Sequence, residues 1–228
     1  MTRPGATPGR TTAGIVALVA WLAATNVARS LVVPDGVHLA WNLMIGAGAA
    51  AVAWWASMGA DELGLARARL GSGLRWGLGA LGAISVPLLA ARLLPAGDEW
   101  FADGRADLGV GGMLLRVLVI IPVGTVLVEE LAFRGVLHGL LRRRLDVRPA
   151  VLVGAAVFGV WHLTPTLTGA LDAGDPALGV TVGTVAATTV AGVGFGWLRV
   201  RSGSLLAPVL AHIATNSVAF VLAWTAVR

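Results

Sequence analysis

Seven apolar stretches follow one another along the chain, at about 12–28, 37–58, 73–94, 109–141, 149–167, 177–198 and 204–226. Each is long enough for a helix to cross a hydrocarbon core of ~30 Å at ~1.5 Å per residue. In lipid every backbone N–H and C=O must find its partner within the chain, which a helix achieves inside a single segment. The sequence therefore predicts an all-α, polytopic transmembrane helix bundle of about seven spans. Only 13% of residues are charged and the mean hydropathy is +0.81, against the ~25% charged residues of soluble domains.

Charge orients such a bundle. All seventeen basic residues are arginine, and a pI near 11.5 invites a nucleic-acid reading. Their placement argues against nucleic acid as a partner, because the arginines sit at the ends of apolar runs rather than across one face of a soluble domain. Arg3 and Arg10 flank the first stretch, Arg67, Arg69 and Arg75 lie around the connection from the second to the third, Arg142, Arg143, Arg144 and Arg148 follow the fourth, and Arg199 and Arg201 follow the sixth. These are alternate connections, so they belong on one side, the cytoplasm, which puts the N-terminus inside. Residues 1–11 read as a cytoplasmic tail. The apolar run that follows continues to Ala28 and is succeeded by further spans, which favours a span over a cleaved signal peptide. Residues 61–74 suggest a short amphipathic segment on the cytoplasmic surface. The fourth stretch is too long for a simple crossing, and Pro122 is expected to kink it. Cysteine is absent, so any metal must be held by His, carboxylate or amide oxygen.

Within the fourth stretch stand Glu129, Glu130 and Arg134, where ionisable groups are costly and mark a functional site by default. Consecutive residues on a helix point about 100° apart, so the two glutamates cannot serve one purpose. Glu130 and Arg134 are four apart, in the favourable order for an ion pair, and read as a structural pair. Glu129 has no local cation; it must take a proton or meet a partner from another helix. The fifth stretch offers Phe158 and His162, the seventh His212 and Asn216 on one helical face. Glu129 lies thirteen residues before Arg142, His162 thirteen after Pro149 and His212 eleven after Arg201, so all three reach one layer, roughly 16–20 Å from the arginine-rich ends at helical rise. Phe158 reads as a wall of that site. His138, close to the basic end, reads as snorkelling or interfacial.

The three motifs, Glu-Glu-x-x-x-Arg at 129–134, Phe-x-x-x-His at 158–162 and His-x-x-x-Asn at 212–216, together resemble the CPBP family of intramembrane proteases, which includes CAAX prenyl endopeptidases and Abi-type bacteriocin-immunity proteins. The resemblance covers about 109–226 and makes 109–228 a CAAX-protease-like catalytic core, preceded by N-terminal transmembrane helices at 12–108. It implies peptide-bond hydrolysis by activated water, with Glu129 and His162 positioning and deprotonating the water and His212 and Asn216 stabilising the oxyanion. It also implies a possible Zn²⁺ held by Glu129, His162 and His212, although a metal-free glutamate mechanism uses the same groups.

The absence of His-Glu-x-x-His, of Gly-x-Ser-x-Gly and of aspartate inside a span disfavours the other intramembrane protease types. The competing readings are a proton-coupled transporter and a non-catalytic membrane partner or immunity protein. The expected substrate is a membrane protein or lipidated peptide in the bilayer. The Arg/Ala/Gly-rich composition suggests a bacterial plasma membrane, with the active site facing the cytoplasm.

Overall fold

The computed structural model describes residues 8–33 and 35–228, which form helices and turns with no strand among them. In chain order the main helices are α1 (Pro8–Val32), α2 (His38–Trp55), α3 (Leu70–Arg92), α4 (Val110–Arg142), α5 (Val147–Trp161), α6 (Leu163–Ala173), α7 (Ala177–Ser202) and α8 (Leu206–Ala226). Among the described residues six helical runs are long and apolar enough to cross a membrane: Pro8–Val32, Ala60–Arg92, Val110–Arg142, Val147–Ala173, Ala177–Ser202 and Leu206–Ala226. The second expected stretch also forms a helix, α2, with His38 and Asn42 in its first turns and two tryptophans at its end, and it is not among those six.

Two local expectations change. Helix α1 starts at Pro8, so residues 8–11 of the expected tail are helical; proline suits a first helical position because its missing N–H would be unpaired there anyway. The remaining tail, 1–7, lies outside the described residues. The segment after α2 is not a free amphipathic surface helix. Only Ala60–Leu63 is α-helical, and Gly64 ends it with φ +76°. Arg143 grips Glu62 through two N–H···O bonds of 2.6 and 3.0 Å, while Arg199 donates to the carbonyls of Asp61 and Glu62. The segment is thus tied down by the basic ends of α4 and α7.

Small residues let the helices approach closely. Gly192 and Gly196 of α7 lie against Ala155 and Val151 of α5, where an added Cβ would sit 3.0 Å from Ala155 Cα and 2.9 Å from Val151 Cγ1. Gly159 of α5 is pressed on Thr189 and on the Val185 carbonyl. Such small-residue seams replace the hydrophobic driving force that lipid does not supply between helices.

Helix α4 accommodates its length by widening. Residues Arg116–Val126 and Leu131–Leu137 are π-helical, with the α-helical turn Leu127–Glu130 between them. Pro122 sits inside the first wide segment. It has no N–H to return to Val117 five residues earlier, and Ser217 Oγ of α8 donates to that carbonyl instead at 3.1 Å. Such widenings gather at functional sites, and the third one, Ala214–Val218 in α8, faces this region.

Candidate active site

Glu130 is fully buried, 0% exposed, at the centre of the site. Its Oε1 accepts from Arg134 Nη1 at 2.9 Å and pairs with His212 Nδ1 at 2.8 Å. The expected ion pair with Arg134 is therefore present, and Glu130 does more than that pair requires: it reaches from α4 to α8 and grips a site histidine. A carboxylate beside an arginine is an acceptor only, so the proton of that second bond belongs to His212 Nδ1. This fixes the tautomer and leaves Nε2 as the open nitrogen.

Around Nε2 stand the other predicted groups. Asn216 Nδ2 lies 3.3 Å from it, and Glu129 Oε2 lies 3.9 Å away, too far for a hydrogen bond. That Glu129 oxygen is buried and has no hydrogen-bond partner; Glu130 Oε2 is likewise buried and unpartnered, but Glu130 Oε1 takes two bonds whereas Glu129 takes none. Thr215 Oγ1 orients Asn216 by donating to its Oδ1 at 3.2 Å, although the same hydroxyl also reaches the His212 carbonyl at 2.9 Å.

His162 is placed by a different route. It sits in the turn between α5 and α6, and its Nδ1 donates to the Phe158 carbonyl at 2.9 Å, which leaves its Nε2 open. The turn has a cause three residues on. Pro165 cannot donate to the Trp161 carbonyl as a continuing helix would require. Asn26 of α1, itself buried, takes over that carbonyl with an Nδ2–H···O bond of 3.0 Å.

Aromatic rings join the two halves. Phe158 lies edge-on to both histidine rings, with centroids 4.7 Å from His162 and 6.0 Å from His212. It also carries the Arg134 guanidinium over its face at 4.0 Å. Phe195 of α7 closes the opposite side, stacked on His212 at 4.9 Å and facing Arg134 at 5.0 Å. The arginine is thereby sandwiched between two rings, an arrangement that compensates a cation where water is scarce.

The structure thus brings Glu129, Glu130, Arg134, His212 and Asn216 into one cluster and sets His162 across the ring of Phe158. His138, expected at the interface, is instead buried in the bundle at 7% exposure, beside a minor cavity that Phe133 and Arg134 also line; the shortness of its side chain leaves no snorkelling route. Phe195, Asn26 and Ser217 were not identified from the sequence. Phe195 had one signal, a lone aromatic among Gly192, Gly194 and Gly196. Among the described residues no three His, Asp or Glu side chains gather at metal-binding spacing. Glu129, His162 and His212 therefore do not stand together at metal-ligand spacing in this arrangement.

Residues 111–218 match the family model described as Type II CAAX prenyl endopeptidase Rce1-like. No curated protein and no solved structure gives a significant match to the chain. The matched segment contains all three motifs and every charged group of the cluster, and supports a likeness to the CPBP (CAAX-protease) family of membrane proteins.

Proposed function

We propose that the protein is an intramembrane endopeptidase that hydrolyses a peptide bond of a membrane-associated protein or lipid-linked peptide with water activated by Glu129. The observation that carries this reading is the unequal commitment of two adjacent carboxylates: Glu130 is bound through Oε1 to Arg134 and His212, whereas Glu129 makes no hydrogen bond and stands beside His212 Nε2 at 3.9 Å.

Each group has a task. Glu129 takes a proton from water as the water oxygen attacks the carbonyl carbon. His162, its Nδ1–H occupied by the Phe158 carbonyl, orients that water through Nε2. Asn216 donates from its amide to the developing oxyanion. His212 supplies a second donor when Nε2 is protonated, its imidazolium flanked by Glu129 and Glu130. Collapse of the tetrahedral intermediate breaks the C–N bond, and the proton held by Glu129 passes to the leaving nitrogen. In this reading the site opens to the cytoplasm of a bacterial plasma membrane; the arginines clustered at alternate connections support the cytoplasmic side for those connections.

The test uses the full chain in proteoliposomes with a prenylated CAAX-type peptide as reporter, alongside comparison of membrane proteins from cells carrying wild type or Glu129→Gln. The proposal expects substrates that persist uncleaved only with Glu129→Gln, and metal analysis of the active preparation settles whether zinc accompanies it. Equal cleavage by both forms overturns the hydrolytic role of Glu129; unchanged biological activity without any cleavage product favours a non-catalytic membrane partner.

A further inference from the structure

A groove of about 1090 Å³ runs between α3 and α7, with α8 as its floor. Its walls are almost wholly apolar or small: Ala80, Ala83 and Ile84 on one side, Ala187, Val190 and Ala191 on the other. None of Glu129, His162, His212 and Asn216 lines it. Phe195 and Thr215 do line it, so an occupant lies against residues that stack on His212 and orient Asn216 without lining up with the four reacting groups themselves.

The two ends of the groove differ. At one end stand Arg75 and the edge-to-face pair of Trp76 and Trp197, whose centroids are 5.3 Å apart. Arg201 spreads over both indoles, at 5.5 and 5.7 Å. Among the described residues neither Arg75 nor Arg201 has an acidic partner. Tryptophan and arginine together mark the boundary between headgroups and hydrocarbon. From that end the groove descends nine residues along α3, Arg75 to Ile84, and eleven along α7, Trp197 to Ala186. At helical rise this is roughly 14–17 Å, about half of a ~30 Å hydrocarbon core and so one leaflet deep.

An apolar channel one leaflet deep, capped by two unpaired cations, complements an amphiphile with one acyl chain in the groove and a net-negative head at the mouth. We propose that this groove is a binding site for an anionic phospholipid of the surrounding bilayer, with the acyl chain between α3 and α7 and the phosphate held by Arg75 and Arg201. The proposal is read by lipid binding and not by cleavage, so the fate of one proposal leaves the other standing.

The test is native mass spectrometry of the detergent-purified full chain titrated with phosphatidylglycerol or phosphatidylcholine of identical acyl chains. Two arginines beside one phosphate predict about a tenfold or greater preference for phosphatidylglycerol. The double variant Arg75→Gln/Arg201→Gln is expected to bind both lipids within about twofold of each other. A second variant probes the channel. An added Cβ at Gly79 or Gly194 meets nothing within 4 Å, and Gly79→Leu/Gly194→Leu, which puts two larger side chains into the groove, is expected to lose both lipids. Each variant is first checked for a monodisperse peak, and the single arginine variants repeat the charge test where the double variant fails that check. A wild type without anionic preference, a double arginine variant that keeps it, or a filled groove that binds as wild type would overturn the assignment.

Discussion

The two histidines of the site are held in opposite ways. His212 is fixed by side chains, through a charged relay from Arg134 to Glu130 to its Nδ1. His162 is fixed by backbone, in a turn that Pro165 forces and that Asn26 seals by capturing the Trp161 carbonyl. The relay lies wholly within the segment that matches the family, whereas Asn26 belongs to α1, outside it. A charged relay tolerates little loss because each member is buried with no water to replace it. A captured carbonyl is a milder device: one neutral hydrogen bond defines where a helix stops.

The sharpest way to break the contrast is Arg134→Leu. It leaves the Glu130 carboxylate buried without its cation, and loss of one partner of a buried pair costs about 3–5 kcal/mol. Unfolding in detergent should show a large drop in stability, with little folded protein recovered; a small drop would mean that the relay is not what holds α4 to α8.

The His162 side should respond less. Asn26→Ala orphans one buried carbonyl, at a cost of about 1–2 kcal/mol. Adding Pro165→Ala returns an N–H to that carbonyl, so the double variant should recover stability. It also lets α5 run on into α6 and carries His162 out of the turn, so reporter cleavage should stay lost. Recovery of both together would show that the turn does not position His162.

The charged relay was largely legible in the sequence, since Glu130 and Arg134 stand four apart and His212 and Asn216 share a helical face. Depth counted from the arginines also brought Glu129 and His212 to one layer, and they lie 3.9 Å apart. Spacing could not show that Glu130 would reach His212 on another helix, because that contact depends on the packing of α4 against α8. Nor could it show Asn26 at Trp161 or Ser217 at Val117, contacts 135 and 100 residues apart in sequence. Both serve carbonyls left open by prolines. A proline inside an apolar run is the readable half of such a device; the distant donor is not.

The smallest effect belongs to the loop between α3 and α4. The Arg105 side chain and backbone N–H both donate to Asp103, and the side-chain bond holds its carboxyl below the ordinary carboxylate range against a modest opposing effect of burial. A lowered folded value means that the carboxylate contributes stability above the unfolded value and loses it as pH falls through the folded one. Arg105 is largely exposed and Asp103 partly so, so Asp103→Asn should cost well under about 1 kcal/mol, visible as slightly weaker pH dependence of unfolding below pH ~4. An effect as large as that of Asn26→Ala would mean that this loop supports the bundle in a way its exposure does not suggest.

The central claim is the division of labour between adjacent glutamates, and one paired measurement tests it: reporter cleavage and thermal unfolding of Glu129→Gln beside Glu130→Gln. Glu129→Gln should unfold at about the wild-type temperature and cleave nothing, whereas Glu130→Gln should unfold at a clearly lower temperature because Arg134 and His212 lose their shared carboxylate. Cleavage retained by Glu129→Gln, or a Glu130→Gln protein as stable as wild type, would contradict it.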